Sequence, residues 1–137
     1  VLAQSEYPDG RLLVYSLDRF TEVERTDISY TIPSDFDINE HFRSFYGVSS
    51  LSNAQPEIVQ LRIDASQVKF FRTLPLHHSQ EEIETTDAYS VFQYYLVPTF
   101  ELTKEILSNG PYVEVLRPLS LREEIQSKAK QMAEMYK

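Results

Sequence analysis

Apolar and polar positions alternate most regularly in the middle of the chain. In Glu57 to Ile63, apolar Val59, Leu61 and Ile63 are separated by Gln60 and Arg62, the period of two that buries one face of a sheet. Asp64 and Ser66 carry side chains that cap helices, and Val68, Phe71 and Leu74 then recur at helical spacing until Pro75 stops the run. Glu81 to Thr85 and Ala88 to Val97 read as two strands joined at Thr86 and Asp87. The second is apolar on both faces, which predicts a central strand. Pro98 or Thr99 opens a helix over Phe100 to Leu107, closed by Asn109, Gly110 and Pro111, and Tyr112 to Leu116 is a last strand. The order β-α-β-β-α-β over residues 57–118 predicts an α+β, ferredoxin-like domain, an antiparallel sheet with two helices covering its apolar face.

The flanks read differently. Val1 to Tyr7 and Arg11 to Leu17 are strand-like runs joined by Pro8, Asp9 and Gly10, a strong turn signal, and Phe20 to Arg25 predicts a third antiparallel strand. Val1 opens inside a strand pattern with no polar lead, so residues 1–31 are expected to be the end of a domain that begins upstream. Residues 32–56 predict a linker. Pro33 to Asp37 ends in a cap, Ile38 to Tyr46 forms a short helix with Phe42, Phe45 and Tyr46 on one face, and Gly47 stops it. Residues 119–137 predict an amphipathic helix in which Ser120 and Glu123 form a capping box. Its apolar stripe of Leu121, Ile125, Ala129, Met132 and Tyr136 must meet either its own domain or another subunit. For the second case Leu121, Ile125, Met132 and Tyr136 are the candidate interface residues.

Composition narrows what such a chain can do. With 137 residues, 42% of them apolar, it can bury one core of ordinary size. No apolar run approaches the roughly eighteen residues that span a bilayer, and no signal peptide is recognisable, so a soluble protein without membrane partners is expected. Cysteine is absent, which removes disulfides, thiolate nucleophiles and thiolate-ligated metals, and fits the cytoplasm. A formal charge of -8 disfavours direct binding of duplex DNA. With glycine only at positions 10, 47 and 110, neither kind of glycine-rich phosphate loop exists.

The stretch Leu74 to Gln80, LPLHHSQ, holds two of the three histidines and runs into acidic Glu81, Glu82 and Glu84. A metal site needs several converging ligands, and adjacent histidines on an extended loop are expected to point apart. Ser79 lacks a nucleophile-elbow motif, and sequence neighbours seldom have the geometry of a nucleophile and its base. The expectation is therefore no metal, no cofactor and no catalytic residue. Instead the His, Ser and Gln side chains are expected to satisfy local backbone groups at the helix end.

Four blocks carry a resemblance: LPLHHSQ at 74–80, FEL at 100–102 running to ILSNG at 106–110, VEVLRP at 113–118 and LREEI at 121–125. In this order they resemble the C-terminal extension, WCX, of bacterial WYL-domain transcriptional regulators. LLVYSLDRF at 12–20 is similar to the last strands of the WYL domain itself. The resemblance implies a non-enzymatic effector-sensing and dimerisation region. Its helix-turn-helix would lie upstream and alone touch duplex DNA, and its effector would be nucleotide-like or single-stranded nucleic acid. It also implies that Arg19 contacts an anion, and Tyr15 is a further candidate effector-binding residue. Leu13 and Ser16 stand where the family has arginines, so Arg11 is the expected substitute. Two alternatives stay open. One is a ferredoxin-like small-molecule module attached to a metabolic enzyme. The other is a small enzyme using His77 and His78 with Glu81 or Glu82.

Overall fold

A computed structural model describes residues 1–4, 12–32, 34–47 and 54–137. Those residues form a mixed α+β molecule with two sheets and four α-helices. The first sheet is small: β1 (Leu2–Gln4) pairs antiparallel with β2 (Leu12–Val14), Ala3 opposite Leu13. The predicted turn at Pro8, Asp9 and Gly10 lies outside the described residues. After β2 the chain makes a single 3-10 turn at Leu17–Arg19. The strand expected at Phe20 to Arg25 does not form. Among the described residues the segment has no sheet partner, and its apolar side chains lie open, Val23 at 80% exposure. Alternation supplies a strand's two faces, but the ladder needs a neighbour with free main-chain groups.

The second sheet is the centre of the molecule. It comprises β3 (Glu57–Asp64), β4 (Glu81–Thr85), β5 (Tyr89–Leu96) and β6 (Val113–Arg117), arranged β4-β5-β3-β6 with every pair antiparallel. Helix α2 (Ala65–Thr73) follows β3 and helix α3 (Phe100–Ser108) follows β5, so the element order is the predicted β-α-β-β-α-β. Helix α1 (Ile38–Arg43) precedes this unit and α4 (Leu119–Met135) closes it. The alternation in β3 works as its spacing requires: Val59, Leu61 and Ile63 are wholly buried, while Arg62 is exposed. Their partners Tyr94, Phe92 and Ser90 on β5 are buried on the same face. Val68 and Phe71 of α2 and Leu102 and Ile106 of α3 complete the core. Val91 is also buried from the opposite face, as expected of a central strand.

Local chemistry explains the helix starts. Asp64 accepts from the Ser66 amide at 3.0 Å, Thr99 from Leu102 at 3.3 Å, and Asp37 from Asn39 at 2.7 Å. The capping box at Ser120 is not used. Helix α4 begins at Leu119 with Pro118 at its N-cap, which puts Ser120 inside the first turn. Leu74, expected on the apolar face of α2, lies past its end and is exposed. Among the described residues no helix is long and apolar enough to cross a membrane.

Candidate functional site

Arg19 and Tyr15 come together. They line one surface depression of about 330 Å³ with Val14, Ser16, Phe20 and Glu22. Tyr15 is pinned through its main chain, its amide donating to the Val1 oxygen at 2.7 Å and its oxygen accepting from the Val1 nitrogen at 2.7 Å. The turn that follows carries Arg19, whose amide donates to the Ser16 oxygen at 3.2 Å. Asp18 is taken up by the Ser16 hydroxyl, and among the described residues neither Asp18 nor Glu22 forms an ion pair with Arg19. The depression thus presents a forked cation beside a half-exposed phenol ring, groups suited to an anion attached to a flat body. Arg11 lies outside the described residues.

The LPLHHSQ stretch is a bent loop in which nearly every polar side chain is spent on main-chain groups. Gln80 Nε2 donates to the Phe71 oxygen at the end of α2, 2.7 Å away, and Gln80 Oε1 accepts from the Leu76 amide at 3.1 Å and the Tyr94 hydroxyl at 3.0 Å. Burial pushes the Tyr94 phenol well above its ordinary value, so it stays a donor. Ser79 Oγ accepts from the Tyr95 amide at 2.9 Å and reaches the Tyr95 oxygen at 3.2 Å. The neighbouring histidines do not point apart as expected. Because the loop is bent, their ring centres lie 4.1 Å from each other. His77, 9% exposed, places Nδ1 2.7 Å from Ser79 Oγ and donates from Nε2 to the Arg43 oxygen at 2.8 Å. A serine and a histidine therefore do meet, but the hydroxyl is held by the Tyr95 main chain and the ring's far nitrogen by a carbonyl. His78 Nε2 accepts from Arg43 Nε at 3.4 Å. Among the described residues no group of three or more His, Asp or Glu side chains comes together as metal ligands would.

The stripe on α4 divides. Leu121 is 2% exposed and belongs to the chain's own core, and Ile125 packs partly against that core, because the first turns of α4 lie over β6 and α3. Met132 and Tyr136 remain open, at 47% and 88%.

One contact was not legible in the sequence. The short helix and the residues after it dock onto the sheet unit: the Val97 amide donates to the Ser44 oxygen at 2.7 Å, and Thr99 Oγ1 to the Tyr46 oxygen at 2.7 Å. The available signal was the apolar trio Phe42, Phe45 and Tyr46; the helix expected to carry all three stops at Arg43, so Phe45 and Tyr46 follow it, and Tyr46 does pack against the core.

A sheet unit closed by α4, with a small second sheet ahead of it, makes the described residues a mixed α+β structure. The WCX domain family matches residues 55–133, more than half of the chain, and the chain belongs to that family. No curated protein matches it.

Proposed function

We propose that the chain is the effector-sensing and dimerisation region of a bacterial, cytoplasmic transcriptional regulator, non-enzymatic itself, with the DNA-binding helix-turn-helix upstream. Membership of the WCX family supports a regulatory C-terminal region. The strand order β4-β5-β3-β6 with its crossovers supports the ferredoxin-like arrangement, and the segment Leu12 to Phe20, which opens with β2, is read as the end of a WYL domain. The observation that carries the effector reading is the shared depression of Arg19 and Tyr15. A guanidinium there forks onto phosphate or carboxylate oxygens while the phenol ring covers a base or similar plane.

The mechanism is one of differential affinity. An effector that binds one arrangement of the N-terminal strands and the WCX domain better than another shifts the assembly toward it, and equal affinity would switch nothing. A fluorescence or calorimetric titration with nucleoside phosphates and short single-stranded oligonucleotides tests this. Arg19→Ala is expected to weaken the best binder about tenfold, the worth of one charge-assisted contact of about 1.4 kcal/mol. Unchanged affinity in the variant would remove Arg19 from the site.

A further inference from the structure

We propose, resting on the dimerisation reading, that the second half of α4 is a docking arm. In a twofold pair of chains each arm lies antiparallel on its partner's α4, and its last turn enters a depression beside the start of that helix. Leu121 is buried in the chain's own core and Ile125 packs against it, but from Gln126 to Met135 only Lys128 is even partly covered. The side-chain bonds of the arm among the described residues stay within α4: Lys128 to Glu124 at 3.7 Å and Gln131 Nε2 to the Ser127 hydroxyl at 3.5 Å. About ten helical residues without tertiary contact are marginal in water, so a helix here calls for a partner. The apolar side chains it would bring are Met132 at 47% exposure, Met135 at 81% and, just past the helix, Tyr136 at 88%.

The depression holds about 330 Å³. Val97, Pro98 and Leu121 give it an apolar lining, and the exposed residues Glu57 and Glu124 stand at it with Ser120. Two carboxylates over an apolar floor suit an apolar helix end that carries ammonium groups. The arm is such an end. The chain has a formal charge of -8, yet three of its five lysines, Lys128, Lys130 and Lys137, fall within residues 128–137, where Glu134 is the one acid. Glu57 makes no ion pair among the described residues. Glu124 meets Lys128 of its own helix, but at 3.7 Å and with both side chains open to water that pair is worth little and leaves the carboxylate able to take a second cation.

A single symmetry operation satisfies both surfaces. Ser120 and Glu124 line the depression at the start of α4, and Met132 and Tyr136 stand twelve positions further on, about 18 Å along the helix axis. A twofold axis crossing α4 near Lys128 and Ala129 therefore sets each arm's end over the other copy's depression. Ala129 is small enough for the two helices to approach closely there, and Lys128 keeps Glu124 as its counter-charge. Lys130 and Lys137 arrive beside the partner's carboxylates. A parallel pair would set lysines against lysines and leave both depressions empty. Because the same two surfaces meet twice, the antiparallel pair closes on itself and does not grow into a filament.

Sedimentation velocity on the whole chain tests the proposal with two charge reversals, E57K/E124K in the depression and K130E/K137E in the arm. All four side chains are exposed, so both variants should fold. Alone, each sets like charge against like at both contacts and should raise the dimer's Kd about tenfold or more. Mixed in equal amounts they should regain the dimer, because the reversed arm of one meets the reversed depression of the other while the unaltered arm and depression meet at the second contact. A fold defect would not be cured by mixing. Dimers as tight in both variants as in the unmodified chain, or no recovery on mixing, would overturn the docking arm and leave dimerisation through another surface standing. An unmodified chain that stays monomeric at high concentration would overturn both. Should a variant fail to fold, carbodiimide coupling of the unmodified dimer, made from isotopically distinct copies, decides it: a link between copies from Lys130 or Lys137 to Glu57 or Glu124 is expected, and its absence from the coupled dimer overturns the arm.

Discussion

Arg72 of α2 holds Glu82 of β4 with two parallel hydrogen bonds, Nε to Oε2 at 2.8 Å and Nη2 to Oε1 at 2.6 Å. Glu82 pairs with Phe92 in the ladder and so lies on the face that the helices cover, where an unpaired carboxylate would be costly. The guanidinium fork makes that position tolerable, and the Thr85 hydroxyl adds a third donor at 2.8 Å. An acidic edge strand is thereby fastened to the helix above it.

Acid should loosen this fastening in a defined range. The hydrogen bond from Arg72 is the main reason the Glu82 carboxyl is lowered from 4.5 to about 2. A depressed carboxyl contributes stability above its unfolded value, and that contribution fades as pH falls from 4.5 toward 2. Arg72 is half exposed, so the pair is expected to contribute only about 0.5–1 kcal/mol at neutral pH. Urea midpoints of E82Q and of the unmodified chain should converge below about pH 3 and separate above pH 5. Parallel curves across that range would show that the pair contributes nothing.

How much of this was readable beforehand follows from what each signal depends on. The β3 strand and its buried side chains were legible because Val59, Leu61 and Ile63 depend only on a period of two, which the sequence displays directly. The missing strand at Phe20 to Arg25 and the unused box at Ser120 depend on neighbours: a pairing edge in one case and the point where α4 starts in the other. At the candidate site, Arg19 and Tyr15 were named in advance through a resemblance, and their closeness follows from the turn at Leu17–Arg19. The contact of His77 with Arg43 spans 34 positions, and no local pattern encodes it.

Gln80 should matter more than a loop glutamine usually does. It satisfies the Phe71 oxygen, the Leu76 amide and the Tyr94 hydroxyl at once, and Gln80→Ala leaves all of them short of a partner. The expected cost is about 1–3 kcal/mol in chemical denaturation. Gln80→Glu keeps the acceptor but loses the donor to Phe71, and should fall between the two. A Gln80→Ala midpoint matching the unmodified chain would mean that water replaces the network.

Gly47 is constrained twice. Its φ is +84°, and a Cβ there would meet the Glu101 side chain at 2.8 Å. Gly47→Ala is expected to cost about 1–2 kcal/mol from the backbone alone. Because the strain falls where the segment turns away from Tyr46, exchange at the Val97 amide should rise in this variant. If Val97 keeps its protection while global stability drops, the glycine matters for the domain and not for docking.

Helix α4 offers the clearest separation between folding and assembly. Leu121 is buried in the core, so Leu121→Ala should cost about 2–5 kcal/mol and lower Tm at any protein concentration. Met132 and Tyr136 are exposed and touch little of their own domain, so replacing both with serine should leave the monomer's stability within about 0.5 kcal/mol. If the open half of the stripe joins two copies, sedimentation velocity should show the double variant dissociating at concentrations where the unmodified chain is a dimer, with concentration-dependent melting lost as well. Identical sedimentation of both proteins as dimers would move the interface elsewhere, and a monomeric unmodified chain at high concentration would sink the dimer proposal for this region.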